Sequence, residues 1–349
     1  MNSMPAVLAI GTANPDRRYS QEEIYNLLAR HSGFYRTDRV RHIFMTSDID
    51  FRHLFFDSES FHADETPDEL HERFARGAME IGTKAVEACL ASGKIDSSDI
   101  GCVIAVSCTG YLCPGLSALL TKEFDLQNNV QRADILGMGC AGAMPGLQRA
   151  FDYVKAYPAK KALVVTAEIC SACYYIDDSL ETVVGNAICS DGAAAVVIGM
   201  SESSAVPKIS GFETHLEPSL IHTVGFEQKE GKLRIVLSKD IRDIAGVLGD
   251  KTIGKLLEKF QLKKEDITHW ILHSGGRKVI GNLKKEIGLT DLQVRHSRCV
   301  LQHYGNMSSP TVLFVLEETL RHGAPKPGDR GVMLAMGPGL AIEAALLVW

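Results

Sequence analysis

One structural theme is written twice in this chain, and a duplication of that kind restricts the fold more than any single motif. The segment SSDIGCVIAVSCTG (97–110) has the pattern of KEDITHWILHSGG (264–276): an acidic helix end, an apolar strand, a polar glycine turn. A helical segment follows each, GLSALLTKEFDL in the first case and GRKVIGNLKKEIGL in the second. The parallel continues. Gly139-Cys140 precedes a helix and the strand ALVVTAE, and Gly305-Asn306 precedes a helix and the strand GVMLAMGPG. Duplicated halves put Cys140 and Asn306 at equivalent points facing one cleft. His273 ends a strand of the second half, where open α/β sheets place their ligand crevices.

Apolar runs at 6–10, 102–106, 162–166, 193–198, 270–272 and 332–335 are expected strands that alternate with helices, a layered α/β pattern. The small, polar, proline-terminated stretch 201–207 is the expected link between halves. The chain then divides into 1–204, with the cysteine, and 205–349, with the histidine and asparagine. Residues 225–239 are expected to form a β-hairpin over the cleft.

Pro145 lacks an amide hydrogen and cannot lie deeper than the first turn of the amphipathic segment Leu147, Ala150, Phe151, Val154. Cys140 therefore sits at or just before a helix N-terminus. Unpaired N–H groups and the helix dipole favour an anion there, and are expected to lower the thiol from its free pKa of about 8.5. That marks Cys140 as a nucleophile, although most cysteines are small buried hydrophobes. Asn306 stands at a second helix mouth, before Val312, Val315, Leu316 and Leu320. Taken alone it is an N-cap; with Ser308 or Ser309 capping the helix it is free for other work.

With 45% apolar and 23% charged residues among 349, the composition is that of a soluble globular enzyme. A net charge of −6 argues against nucleic acid or an anionic membrane as the main partner. The first 20 residues lack a basic, apolar leader and no later segment spans a bilayer, so a cytoplasmic location is expected. Nine cysteines without framework spacing point to a reducing compartment. Cys170 and Cys173 form a C-x-x-C, a pattern used in redox chemistry and metal sites, but no second ligand pair accompanies it. No metal is expected.

Taken in order, AIGTANP, GMGCAG, ICSDGAAAVVIG, HSGG, YGNMSSPTVLFVLEE and the closing MGPGLAIEAALLVW resemble the type III polyketide synthases, the chalcone synthase family, over essentially the whole length. The C-terminal third is most similar to bacterial members that make 3,5-dihydroxyphenylacetyl-CoA. The resemblance implies a thiolase-like α/β fold, two pseudo-duplicated halves in an αβαβα arrangement. It also implies a cytoplasmic homodimer that uses malonyl-CoA and acyl-CoA, works with downstream pathway enzymes and needs no cofactor. In this reading Cys140 takes an acyl group as a thioester, and His273 holds its thiolate as an ion pair. His273 and Asn306 then donate hydrogen bonds to the carbonyl oxygen of malonyl-CoA as CO₂ leaves. The enolate attacks the thioester, and the cycle repeats before ring closure. His303, near Asn306, is the rival histidine; the strand end and the HSGG motif favour His273.

The same resemblance implies the pocket. Thr109, Cys173, Ser308, Gly337 and Pro338 take family pocket positions. Cys189 and Ile235 stand where gatekeeper phenylalanines are found, Cys113 where a methionine crosses to the partner subunit, and Met336 where the closing turn carries a phenylalanine. Ile235 and Met336 are equally consistent with core packing. CoA phosphates call for cations, which makes Arg277 and Lys278 after HSGG candidates, along with Arg39, Arg41 and Arg52. Three alternatives remain: an alkylpyrone or alkylresorcinol synthase primed by fatty acyl-CoA, a β-ketoacyl-carrier-protein synthase, and a non-catalytic partner-binding relative.

Overall fold

The computed structural model describes residues 3–238 and 241–349. The first half runs β1 (Met4–Ala13), β2 (Arg18–Ser20), α1 (Gln21–His31), α2 (Asp38–Met45), β3 (Phe51–His53), α3 (Pro67–Gly93), β4 (Ile100–Ser107), α4 (Leu116–Glu123), β5 (Gln131–Leu136), α5 (Ala143–Ala156), β6 (Lys161–Ile169), α6 (Leu180–Ile188) and β7 (Asp191–Ser201). The second runs β8 (Lys208–Leu216), β9 (Val224–Lys229), β10 (Lys232–Leu237), α7 (Ile241–Lys259), β11 (His269–Leu272), α8 (Arg277–Ile287), α9 (Arg295–Tyr304), α10 (Thr311–His322), β12 (Arg330–Gly337) and β13 (Ala341–Val348). Between β7 and β8 lie residues 202–207. Among the described residues no helix is long and apolar enough to cross a membrane.

Strand pairing shows the duplication directly. The main sheet runs β11-β12-β13-β8-β1-β7-β6-β4-β5. From β1 outward, β7 and β6 pair antiparallel and β4 parallel. From β8 outward, β13 and β12 pair antiparallel and β11 parallel. The halves meet where β1 and β8 pair through Ala6 and Lys208.

The layers follow from which faces are apolar. In α10 every residue from Thr311 to Glu317 is buried, and a helix covered on all sides belongs inside. It packs beside α5 in one cluster, where Val106, Met144, Leu147 and Val164 of the first half meet Leu313, Val315, Met333 and Leu347 of the second. The alternate residues of the strands face outward. Val103 and Val165 pack under α3 with Ile81 and Val86. Trp270, Leu272 and Leu334 pack under α7 and α8 with Ile253, Leu256 and Leu283. With each half of the sheet counted as one layer, the order is helix, sheet, helix, sheet, helix, the αβαβα order expected of a thiolase-like fold.

The six expected strands are all present within β1, β4, β6, β7, β11 and β12. Strands β5, β8 and β13 lie outside the expected runs. β5 is the sheet's edge, with exposed polar residues interrupting its apolar pattern. The hairpin is β9 and β10, turning at Glu230 and Gly231, both at positive φ as a tight two-residue turn requires. Lys239, its expected end, lies outside the described residues.

Candidate active site

Cys140 sits in a 3-10 turn, Gly139–Ala141, immediately before α5. Pro145 is in the first turn of that helix, as its missing N–H requires. The turn is pressed against the other half of the molecule. Gly139 has φ +50°, and a β-carbon there would collide with the Pro338 ring. A β-carbon on Gly337 would stand 2.5 Å from the Met138 carbonyl oxygen. Gly337 and Pro338 thus act on the site by supporting the cysteine turn.

Asn306 and the HSGG turn approach the sulfur from the second half. Both carboxamide atoms of Asn306 lie 4.0 Å from Cys140 Sγ. Oδ1 accepts hydrogen bonds from the Ser308 amide (2.9 Å) and the Thr311 hydroxyl (3.4 Å). Nδ2 donates to the Gly275 carbonyl at 3.5 Å and, over 4.0 Å, toward Cys140 Sγ, so one of its two hydrogens is held only by that long contact and can turn to a ligand. Gly275 is two residues beyond His273, which follows β11 and is held by a bond from its amide to the Leu334 carbonyl (2.8 Å). His273 is 4% exposed, and its Nδ1 has no hydrogen-bond partner among the described residues. His303 instead turns its Nδ1 to the Cys299 carbonyl of its own helix.

The serines do not cap α10. Its N-cap is Pro310, without a side-chain bond. Ser309 donates to Glu168 (2.6 Å), and the Ser308 hydroxyl lies 3.3 Å from Cys108 Sγ. Asn306 itself ties the loop together through Oδ1, while its nitrogen makes only long contacts, to the Gly275 carbonyl and to Cys140 Sγ.

Burial opposes charge on both Cys140 and His273. It pushes the Cys140 thiol up to about 12, against hydrogen bonds from Ser308 and Asn306 that pull it down. It pushes the His273 imidazole down to about 4. The helix N-terminus expected to lower the thiol is outweighed by desolvation. Each charge is disfavoured alone; a thiolate becomes accessible when a base takes its proton at the same moment.

Glu168, next to last in β6, is a site residue that the motifs do not single out. The carboxylate closing the apolar run ALVVTAE is its only signal in the sequence. It is fully buried and accepts bonds from Ser107, the Cys108 amide, Thr109 and Ser309, and burial raises its pKa. Thr109 is consumed in this network, donating to Glu168 and accepting from the Ile169 amide. Cys173 donates to the Thr109 carbonyl at 3.4 Å. Its C-x-x-C partner Cys170 hydrogen-bonds Cys189, whose thiol is lowered first by that bond and then, after opposing burial, by the charge of Arg52. All nine cysteines are free, and among the described residues no group of three or more His, Cys, Asp or Glu is placed to hold a metal.

A cavity of about 390 Å³ runs past Gly275 and Gly276 and is lined by Ile188, Leu237, Arg39, Arg277 and Lys278. Arg41 and Arg52 do not serve it. Arg41 is exposed and faces Glu22 at 3.6 Å. Arg52 is 0% exposed and bonded to Tyr174, Asn186 and Cys189, because β3 carries it into the interior. A second cavity of about 340 Å³ lies over Cys108, Thr109, Phe74 and Leu233. The hairpin therefore borders both. Ile235 packs over Gly185, and Met336 packs in the outer core with α7, so both make the core contacts foreseen as their alternative. Cys113 is exposed, next to a cis bond with Pro114. A further cavity, of about 680 Å³, is lined by charged residues such as Glu65, Glu72 and Arg73, and by none of the expected site residues.

Comparisons with known proteins converge. Residues 58–261 match the family described as FAE1/Type III polyketide synthase-like protein. Residues 217–348 match the chalcone and stilbene synthases, C-terminal domain. The 3,5-dihydroxyphenylacetyl-CoA synthase of Streptomyces toyocaensis is 36% identical over 99% of this chain and 90% of its own length. That of Amycolatopsis balhimycina is 33% identical over 97% and 92%. The crystal structure of PKS-I from the brown alga Ectocarpus siliculosus is similar at a TM-score of 0.93 and 27% identity, covering 100% of this chain and 99% of that one.

Proposed function

Because the chain belongs to the type III polyketide synthases, acyl-transferring condensing enzymes of the chalcone and stilbene synthase family, we propose that it extends a Cys140-bound acyl thioester with malonyl-CoA. His273 takes the Cys140 proton as the sulfur attacks the acyl-CoA carbonyl, and the CoA thiolate leaves and is reprotonated. The neutral imidazole favoured by burial still has one N–H, which with Asn306 Nδ2 donates to the malonyl thioester oxygen. The carboxylate leaves as CO₂, its electron pair forming the enolate. That enolate attacks the Cys140 thioester; a carbon–carbon bond forms and the sulfur departs. Donors already in place when the oxyanion develops are worth about 2.7–4 kcal/mol each.

The observation that carries this reading is Asn306, with its oxygen engaged by the Ser308 amide and its nitrogen directed at a cysteine 4.0 Å away, on a helix-leading turn between the two halves. Arg39, Arg277 and Lys278 are suited to the CoA phosphates, since they line the same cavity as Gly275 and Gly276. Two relatives that carry the name 3,5-dihydroxyphenylacetyl-CoA synthase support that compound as the product, built here from malonyl units alone. A homodimer is supported by Tyr111, 62% exposed beside Cys113, and by Leu136, 45% exposed at the same cavity. Cys189 at a gatekeeper position favours one second reading, a synthase primed by fatty acyl-CoA.

Product mass separates them. Malonyl-CoA alone should yield an aromatic CoA ester; a product formed only when long acyl-CoA is added would select the second reading. Absence of both CO₂ release and a Cys140 adduct would reject condensing activity.

A further inference from the structure

Arg52 is a buried cation with an unusual set of partners. Its Nη1 donates to the Asn186 carbonyl (2.6 Å), the Cys189 carbonyl (2.8 Å) and the Tyr174 hydroxyl (3.0 Å). No carboxylate is among these acceptors. Asn186 lies in the last turn of α6 and Cys189 caps it, so the cation sits at the negative end of the helix dipole, on carbonyls the helix leaves unpaired. Nε and Nη2 have no partner among the described residues. A group that only filled space would be better apolar, because desolvating a charge is expensive.

The turn that Arg52 grips is the one against which Asn306 is built. Cys189 and Asn306 form a parallel bridge. The Asn306 amide donates to the Ile188 carbonyl (2.8 Å), and the Ser190 amide donates to the Asn306 carbonyl (2.9 Å). Ser190 is also sewn to β3, accepting from the His53 amide (3.0 Å) and donating to the His53 carbonyl (2.9 Å). Gly305, at φ +70°, rests on the stem of Arg52: a β-carbon there would stand 3.1 Å from Arg52 Cγ and Cδ. Head and stem of one side chain therefore bracket both sides of the bridge.

We propose that Arg52 is the positioning residue for Asn306: its guanidinium locks the 186–190 turn, and through that turn it sets where the Asn306 carboxamide lies relative to Cys140. The inference rests on the reading of Asn306 as an oxyanion donor. It predicts that losing Arg52 harms decarboxylation while sparing acylation of Cys140.

Arg52→Met, Asn306→Ala and the double variant are compared with the parent for acyl adduct formation on Cys140 by mass spectrometry, CO₂ release from malonyl-CoA, and thermal midpoint. Arg52→Met should load Cys140 at nearly the parent rate and decarboxylate about a hundredfold more slowly. The double variant should be no slower than Asn306→Ala, since the two act as a unit. Equal loss of loading and decarboxylation, or losses that multiply in the double variant, would overturn the proposal. If Arg52→Met is insoluble, Arg52→Lys decides: slowed decarboxylation with normal loading supports the assignment, and parent rates for both overturn it. If Asn306→Ala itself decarboxylates at the parent rate, the donor reading fails independently. The crystal structure of Arg52→Met then decides the positioning claim, supported by a displaced Asn306 and overturned by an unmoved one.

Discussion

Asn306 Oδ1 accepts the Ser308 amide at 2.9 Å, and this tight loop leaves the carboxamide nitrogen as the group with a hydrogen to spare beside Cys140. Asn306→Asp keeps the acceptor and removes the donor. CO₂ release from malonyl-CoA should fall about 10²–10³-fold, with the thermal midpoint close to the parent's. A parallel collapse of the midpoint would make Asn306 a structural residue only.

His273→Gln isolates the thiol. Burial above all pushes the Cys140 thiol up to about 12 in the folded protein, and a raised acid pKa keeps the group neutral until the pH approaches that value. Iodoacetamide alkylation of Cys140 in the variant should therefore rise about tenfold per pH unit between roughly pH 7 and 9, tracking the thiolate fraction. With His273 as the proposed proton acceptor, the parent's profile should flatten within that range. A plateau in the variant would contradict the assignment of His273 as the proton acceptor.

Two glycines in one turn separate backbone strain from collision. Gly137 (φ +74°) has nothing within 4 Å of an added β-carbon, whereas Gly139 (φ +50°) meets the Pro338 ring. Gly137→Ala should cost only the left-handed strain, about 1–2 kcal/mol in denaturant unfolding. Gly139→Ala should cost more and should also abolish the Cys140 acyl adduct, because the turn and Pro338 cannot both stay in place.

Cation placement distinguishes Arg277 from Arg41. Arg277→Ala removes a charge from the cavity lining and should raise KM for malonyl-CoA about fivefold, or roughly 1 kcal/mol. Arg41→Ala removes an exposed partner of Glu22 and should leave KM and kcat unchanged. Reversed outcomes would move the CoA phosphates to another face.

Much of this architecture was legible in the chain, since a strand or a helix start is encoded by residues a few places apart. Pro145 places α5 from the absence of one hydrogen, and the paired runs before Gly110 and Gly276 became β4 and β11 in equivalent positions. The charge and the partners of the site groups were not legible in that way. Arg52 between Phe51 and His53 looks like any strand cation, yet it is closed inside by a carbonyl 134 positions away. Ser309 resembles a cap but bonds Glu168 across 141 positions.

The sequence by itself determined the duplicated elements and the family, and singled out Cys140, His273 and Asn306 as the site candidates, because periodicity and turn chemistry are local. Only the tertiary structure decided which of those groups are charged, which of their atoms remain free, and which arginine is structural. Those properties depend on loss of solvent and on hydrogen-bond partners, and both are supplied by distant segments once the two halves close on each other.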